Sequence, residues 1–594
     1  MRLISRHRWL GGAVAAMLAG LTLYGCKDFL NSNASPQGTL DEGTLRTLAG
    51  VEGTLIATYR QLDCTTSSGA WGCAVSNWAF ASATSDDAYK GSEATDQPPV
   101  DQLEEFHWST PDAQGYINDK WRAMYEGVVR ANSTLRLLEQ VQAASPGAIP
   151  AEDAAGIKGE ALFLRAHYHF EAWRMWGNVP YYRETDEDFR KANETKAQVA
   201  ADLIKDLDEA IPLLPTTPRH GEVGRATKWT AKAYKGRVQM YAGDFAGALT
   251  TLREIQASGP YALETSYDKV WTGFKDLENG KETIFAYQAS VNDGQPDGQN
   301  SNFGERLNFP HSGSPFGCCG FHQPSQNLVN FFRVDAVGLP LALTSATWNV
   351  NNANFTAADN TVPVDPRLDW TVGRDGVPFK DWGPHEPGWI RAPAYGGNYS
   401  AKKNAHEKSS GAQSTVGWTN TQLNSVNIHI FRYADLLLML AEAEAEAGSP
   451  ENARAIVNQI RARAAQKAQG PGTDRATIAV PLNDPSITWA TYKVGQYLTP
   501  WDQATARTAV RYERRLELAM EGQRFFDLRR WGIADQVLNA YLNGVGGGSE
   551  KARRAQLTSA ETFVQRHYLY PIPDLQIQLS TVGGTSTLTQ NPGW

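Results

Sequence analysis

Val510-Arg511-Tyr512-Glu513-Arg514-Arg515-Leu516-Glu517-Leu518-Ala519-Met520-Glu521-Gly522-Gln523-Arg524-Phe525-Phe526-Asp527-Leu528-Arg529-Arg530-Trp531-Gly532 is too charged for an ordinary core helix and too apolar for a solvated one. Arg511 stacks with Arg515 at i,i+4, as do Glu513 with Glu517 and Glu517 with Glu521. Arg524 follows Glu521 at i+3 and Asp527 follows Arg524 at i+3, so opposite charges can meet along one face. Leu516, Met520, Phe525, Phe526, Leu528 and Trp531 bring apolar surface to the same segment. The economical reading is a buried or half-buried ionic network that holds a helix end, Gly522 and a second short helix against a large core. An exposed salt-bridged helix is the bland alternative, but it leaves the aromatic residues in water. Buried charges are costly unless paired, so the rest of the fold must supply partners.

Long helical patterns precede this segment. Ile157, Ala161, Leu164, Tyr168, Ala172 and Met175 make one apolar stripe, and Phe163, Phe170 and Trp173 spread it around the cylinder. Such width predicts burial on more than one side, and Gly177 and Pro180 end the helix. Upstream, Trp121, Tyr125, Val128, Asn132 and Leu135 share a face, and a buried Asn132 must find a partner. Two helix-turn-helix units share a spacing, with Gly243 and Gly448 each followed five residues on by Ala248 and Ala453. Glycine suits a left-handed helix end, Asp244 or Ser449 suits the next N-cap, and a small alanine lets helices approach. This is tetratricopeptide-like chemistry with too few clean repeats for a regular solenoid; a generic antiparallel helix pair fits the same residues.

Between those units, 292–424 loses helical periodicity. It is dense in Asn, Gly and Pro and carries Phe303, Phe309, Phe316, Phe321, Trp348, Trp370, Trp382, Trp389 and Tyr395. A long structureless run inside a compact protein usually carries function, and this aromatic content argues against disorder. A second Ser-, Gly- and Trp-rich stretch covers 64–116.

The segment Glu513–Gly532 resembles the signature of the SusD/RagB family. The resemblance extends to Lys27-Asp28-Phe29-Leu30-Asn31, Ser85-Asp86-Asp87-Ala88, Trp121–Leu138, Gly159–Pro180, Gly224–Asp244, Asn427–Ala464, Tyr570-Pro571-Ile572-Pro573 and Gln590–Trp594. It implies a mostly α-helical SusD-like fold, with tetratricopeptide-like helix pairs as scaffold (about 40–290 and 425–594) and a loop-rich irregular subdomain for the ligand (about 292–424, adjoined by 64–116). It further implies a surface lipoprotein that captures oligosaccharide and delivers it to a SusC-like TonB-dependent transporter in the outer membrane. A peptide ligand in the same transport role and a helical scaffold for proteins alone are the alternatives.

The N-terminus fits that expectation. Arg2, Arg6 and Arg8 precede an apolar run, Trp9–Leu23, shorter than the ~20 residues that span a bilayer. Leu23-Tyr24-Gly25-Cys26 resembles a lipoprotein cleavage site, with Tyr24 bulkier than usual. Residues 1–25 are therefore read as a signal peptide and Cys26 as the lipidated residue, a membrane anchor rather than a span. The chain has a formal net charge of −8, and loss of the leader arginines makes the remainder more acidic, which argues against a nucleic-acid partner. Of the other cysteines, Cys64 and Cys73 enclose a short loop and are the preferred disulfide. Cys318 and Cys319 can bond to each other, pair with the first two, or stay reduced.

Catalytic and metal constellations are sparse. His167 and His169 lie at i,i+2 and point to different helix faces, which does not suit a metal. Asp86 and Asp87 lack the further oxygens that calcium needs. Glu513/Glu517 and Asp86/Asp87 are carboxylate pairs of the kind a glycosidase uses, but the arginines around Glu513 and Glu517 would hold both ionised. No enzyme activity and no cofactor are expected. Carbohydrate sites use aromatic platforms with polar edges, which singles out Trp71, Trp78, Tyr89, Asn302, Phe303, Phe316 and Trp348.

Overall fold

The computed structural model describes residues 45–63, 71–311, 313–359, 361–419, 421–466, 490–544 and 548–594. The scaffold begins with α1 (Leu48–Arg60), α2 (Pro111–Ala144), α3 (Ala151–Trp176), α4 (Lys196–Leu213), α5 (Lys228–Ala242) and α6 (Phe245–Ser258). From α2 onward each helix packs on the next, and α6 lies against α7 (Tyr433–Ala447). The stack continues through α8 (Pro450–Ala464) and α9 (Gln503–Leu518), followed by α10 (Arg524–Arg530) and α11 (Ala534–Asn543). In α3 every residue from Gly159 to Trp176 is buried, as its wide apolar surface requires. Each fully buried Leu or Phe there contributes about 1.5–3 kcal/mol. Asn132 meets its obligation by accepting from Arg165 at 2.9 Å and donating to the Tyr182 carbonyl at 3.1 Å.

The two helix pairs turn differently. After α5, Gly243 adopts φ +80° and Asp244 caps α6 by accepting from the Gly247 amide. After α7, Gly448 has φ −124° and Ser449 makes no side-chain cap, contrary to the sequence expectation. The Glu444 carboxylate folds back there, accepting from the Ser449 amide and the Asn452 side chain. A Cβ on Gly448 would lie 2.3 Å from that carboxylate. Glycine serves space in the second turn and backbone angle in the first. Ala248 and Ala453 are both fully buried, consistent with close helix approach.

Two short antiparallel ladders place the loop-rich region. β2 (Thr283–Tyr287) pairs with β4 (Ile428–Arg432), so the chain leaves the scaffold and returns to it side by side. β1 (Ala88–Gly91) pairs with β3 (Phe321–Pro324), with Tyr89 opposite Gln323, and joins the two loop-rich stretches. Between β2 and β4 the described residues form short helices, β3, a few two-residue strands and small apolar clusters. One gathers Leu328, Phe331, Phe332, Phe355 and Tyr399; another gathers Phe309, Phe316, Phe379 and Trp389.

The 510–532 segment is the interior ionic network that its composition predicts. Arg432 of β4 pairs with Glu282, Glu517 and Glu521 at 2.7–2.8 Å. Arg367 pairs with Asp365, Glu513 and Glu517, and Arg463 with Glu282 and Glu517. Arg514 bridges Asp435 and Asp527, while Arg515 and Arg524 both hold Asp86. Most of these partners are distant in sequence. Arg524 reaches Asp86 rather than Glu521, because Gly522 at φ +66° redirects the chain between α9 and α10. A Cβ on Gly522 would stand 1.8 Å from the Ser76 carbonyl oxygen, so only glycine fits.

Candidate functional site

Three loop segments converge on one aromatic shelf. Trp71 and Phe303 stack with ring centroids 5.6 Å apart and planes within 2°. Trp418, tilted 58° to Trp71 at 6.2 Å, extends the surface outward and is 58% exposed. The Arg306 guanidinium lies 3.7 Å from the Trp418 ring centre and 5.4 Å from that of Phe303. Trp71 and Phe303 are half-buried. Flat, partly wetted rings of this kind offer stacking surface to the C–H face of a sugar.

The segments are held by specific bonds. Phe303 opens a single 3₁₀ turn, Phe303–Glu305, and the Trp78 indole donates to the Gly304 carbonyl beneath it at 3.3 Å. Asn302 and Asn424 lock two loops together: the Asn302 amide donates to the Asn424 carbonyl, and the Asn424 amide donates to Asn302 Oδ1 at 2.9 Å. Thr419 and Thr421, flanking the Trp418 turn, donate to the Phe316 and Pro315 carbonyls. Gln422 accepts from Arg306 Nε at 3.3 Å and donates to the Cys318 carbonyl. Cys318 and Cys319 are bonded to each other. Cys73 is also disulfide-bonded; Cys64, its expected partner, lies outside the described residues, as does Cys26.

Of the seven residues singled out in the sequence, only Trp71 and Phe303 join this shelf with a partly open ring. Trp78, Tyr89 and Phe316 are fully buried, and Asn302 nearly so. Trp78 packs on Phe321 and His322 as a buttress. Tyr89 donates to Glu550 at 2.5 Å and accepts from the Gln326 amide. Phe316 fills an apolar cluster between Phe309 and Trp382. Trp348 packs edge-on against Phe331 in a separate cluster. Loop aromatics bury themselves here because the irregular region has no regular helix face from which to build a core. Trp418 and Arg306 were missed. The available signal for Trp418 was a lone ring within Ser409–Thr421, a run of small and polar residues with nothing large to cover it.

Other chemistry finds little support in the geometry. Burial would raise the Glu517 carboxyl, but Arg463, Arg432 and Arg367 outweigh it and hold it well below the usual range. Arg515 and Arg524 likewise overcome burial and lower Asp86. Carboxylates so held are poor general acids. His167 is pushed down to about 3, chiefly by burial, and bonds the Tyr234 hydroxyl. Among the described residues, Glu52, Asp153 and His220 place ligand atoms within 4.8 Å of one another. Arg219 already occupies that cluster, pairing with Glu52 and Asp153, so a cation would meet a guanidinium. A cleft of about 330 Å³ lies elsewhere, lined by Trp121, Tyr125, Tyr182, Phe189 and Leu579. Its tyrosine hydroxyls are spent on the Pro180 and Phe189 carbonyls.

A sequence profile described as the SusD family matches residues 281–594, just over half of the chain. The chain belongs to the SusD family. A second profile, described as starch-binding associating with outer membrane, matches residues 70–240. A SusD-like protein of Formosa agariphila is 25% identical over 464 residues, which is 73% of this chain and 78% of that relative. A SusD superfamily structure from Bacteroides vulgatus superposes with a TM-score of 0.66 at 20% identity, covering 93% of this chain and 100% of that one. A structure titled laminarin binding SusD-like protein gives 0.64 at 22%, covering 92% and 99%. Surface glycan-binding protein A of Bacteroides thetaiotaomicron, in complex with laminarihexaose, gives 0.62 at 20%, covering 91% and 99%. These structures establish a mostly α-helical SusD fold for the chain. Both ladder strands that bracket the loop region, and the whole 510–532 network segment, fall inside the SusD-matched span.

Proposed function

We propose that this SusD-family protein captures oligosaccharide at the cell surface and delivers it unaltered to a SusC-like TonB-dependent transporter. The observation that carries the reading is the shelf of Trp71, Phe303 and Trp418, assembled from three loops on a rigid helical frame. Stacked, partly open rings with amide and guanidinium groups at the edge suit sugar rings better than an extended peptide, which would use a strand edge or groove. The laminarin-binding neighbours and the starch-binding profile support the same ligand class. The arginine-clamped carboxylates support binding without hydrolysis. Among the described residues no helix is long and apolar enough to cross a membrane; acylated Cys26 would provide the tether. Held beside a pore, even a weak binder works at high effective concentration.

Affinity electrophoresis and calorimetry against a panel of oligosaccharides test the proposal. Trp71→Ala and Trp418→Ala are each expected to weaken the best ligand by about tenfold, the scale of one aromatic stacking contact. Retention of full affinity by the double variant, or no ligand in the panel, overturns it. Co-purification of a TonB-dependent barrel from detergent-solubilised membranes, lost on Cys26→Ala, tests the delivery role.

A further inference from the structure

The charge at the shelf's edge narrows the ligand class. Arg306 is only 7% exposed, yet it makes no ion pair among the described residues. Its one side-chain hydrogen bond among the described residues runs from Nε to the neutral Gln422 side chain. Neither terminal nitrogen is bonded to any described residue, and neither is among the atoms sealed from solvent without a partner. Burial alone acts on it, pulling its pKa down to about 10 with no neighbouring carboxylate to offset the effect. Glu305, adjacent in sequence, turns inward and accepts from the Asn308 and Asn404 amides. Arg237, which also lacks a carboxylate, spends its terminal nitrogens on the Ile430 carbonyl and the Gln523 side chain. Arg306 has no such outlet.

A largely buried cation without a counter-charge is costly, and arginine stays protonated at any physiological pH. The Trp418 ring covers the guanidinium at 3.7 Å, and the terminal N–H groups keep no partner among the described residues. That fork matches the two oxygens of a carboxylate or a sulfate. We propose that the shelf takes an oligosaccharide bearing an anionic substituent, a uronate carboxylate or a sulfate ester, and that Arg306 is the residue that reads the charge. This rests on the glycan-binding reading and sharpens it: the rings supply stacking to any sugar, and Arg306 supplies the preference.

The test uses the full mature chain and three probes of matched length: an oligouronate, a sulfated oligogalactan and a neutral β-glucan, titrated at low salt. At least one anionic probe is expected to bind about tenfold more tightly than the neutral one, the scale of a charge-assisted bidentate contact. Arg306→Gln should shrink that ratio to about twofold, and Arg306→Lys, which keeps charge but not the fork, should fall between. A preference for the oligouronate alone assigns a carboxylate, and for the sulfated probe alone a sulfate ester. Neutral and anionic probes binding equally, or a preference untouched in both variants, overturns the inference while leaving glycan binding intact. Failure of all three probes on a folded protein overturns both.

Discussion

Two buried arginines meet opposite surroundings. Arg432, at the end of β4, is enclosed by Glu282, Glu517 and Glu521 and bonds a backbone carbonyl as well. Arg306, at the shelf, touches two aromatic rings and one amide and, among the described residues, no carboxylate. Around Arg432 the charge is matched by three carboxylates, although single atoms elsewhere in the frame, such as Arg463 Nε and Arg529 Nη1, lack a partner among the described residues. At the shelf it is left without a counter-charge among the described residues. On the proposed reading, the contrast separates stability from function within one residue type. A saturated network resists substitution, whereas an unsatisfied cation is a vacancy that ligand chemistry can fill.

The contrast breaks most easily at its stable end. Arg432→Met should cost about 3–5 kcal/mol, because three carboxylates lose a shared partner in the interior. Urea denaturation measures this, and a change below ~1 kcal/mol would show that the network adds nothing beyond packing. Acid should act on the same region more gradually. The folded-state pKa values of Glu517, Glu521 and Asp527 lie below their unfolded values, because paired arginines and Lys403 outweigh burial. Their contribution is therefore complete above the unfolded carboxylate range of about 4 and is lost as pH falls from there toward the folded values. Glu305 beneath the shelf runs the other way: burial raises it, so it favours the folded state when protonated. With the arginine-paired carboxylates in the majority, the melting temperature should drop between about pH 5 and pH 3; a level profile would mean that the two regions cancel. The smallest effect belongs to the shelf. Trp418→Ala removes a 58%-exposed ring and should alter unfolding free energy by no more than about 0.5 kcal/mol, even as it weakens glycan. A larger loss would make Trp418 part of the core.

The frame was more legible in the sequence than the shelf, and the reason is physical. Helical periodicity is local, so the width of α3's apolar surface and the mixed character of 510–532 announced burial before any partner was known. Partner identity was not local. Asp86, Asp365, Glu282 and Arg463 reach the network from remote segments, and the i+3 spacing of Arg524 with Glu521 misled because Gly522 breaks the helix between them. In the loops no periodicity distinguishes a ring facing in from one facing out. The two stretches that supply the shelf were identifiable from composition. Trp78, Tyr89 and Phe316 were not separable from Trp71 and Phe303 by any neighbouring residue, and Trp418 was overlooked despite its polar flanks.

The paired β2 and β4 strands have an evolutionary meaning. Because the ends of the 292–424 excursion are zipped together, its contour can lengthen or shorten without pulling the helices apart, and closure entropy rises only slowly with loop size. Arg367 and Lys403 rivet its middle to Glu517 and Glu521, and Thr419, Thr421, Gln422 and Asn424 tie the Trp418 turn to neighbouring loops rather than to the helices. On the proposed reading, ligand preference can thus be rewritten in the fingers while the hand keeps its grip.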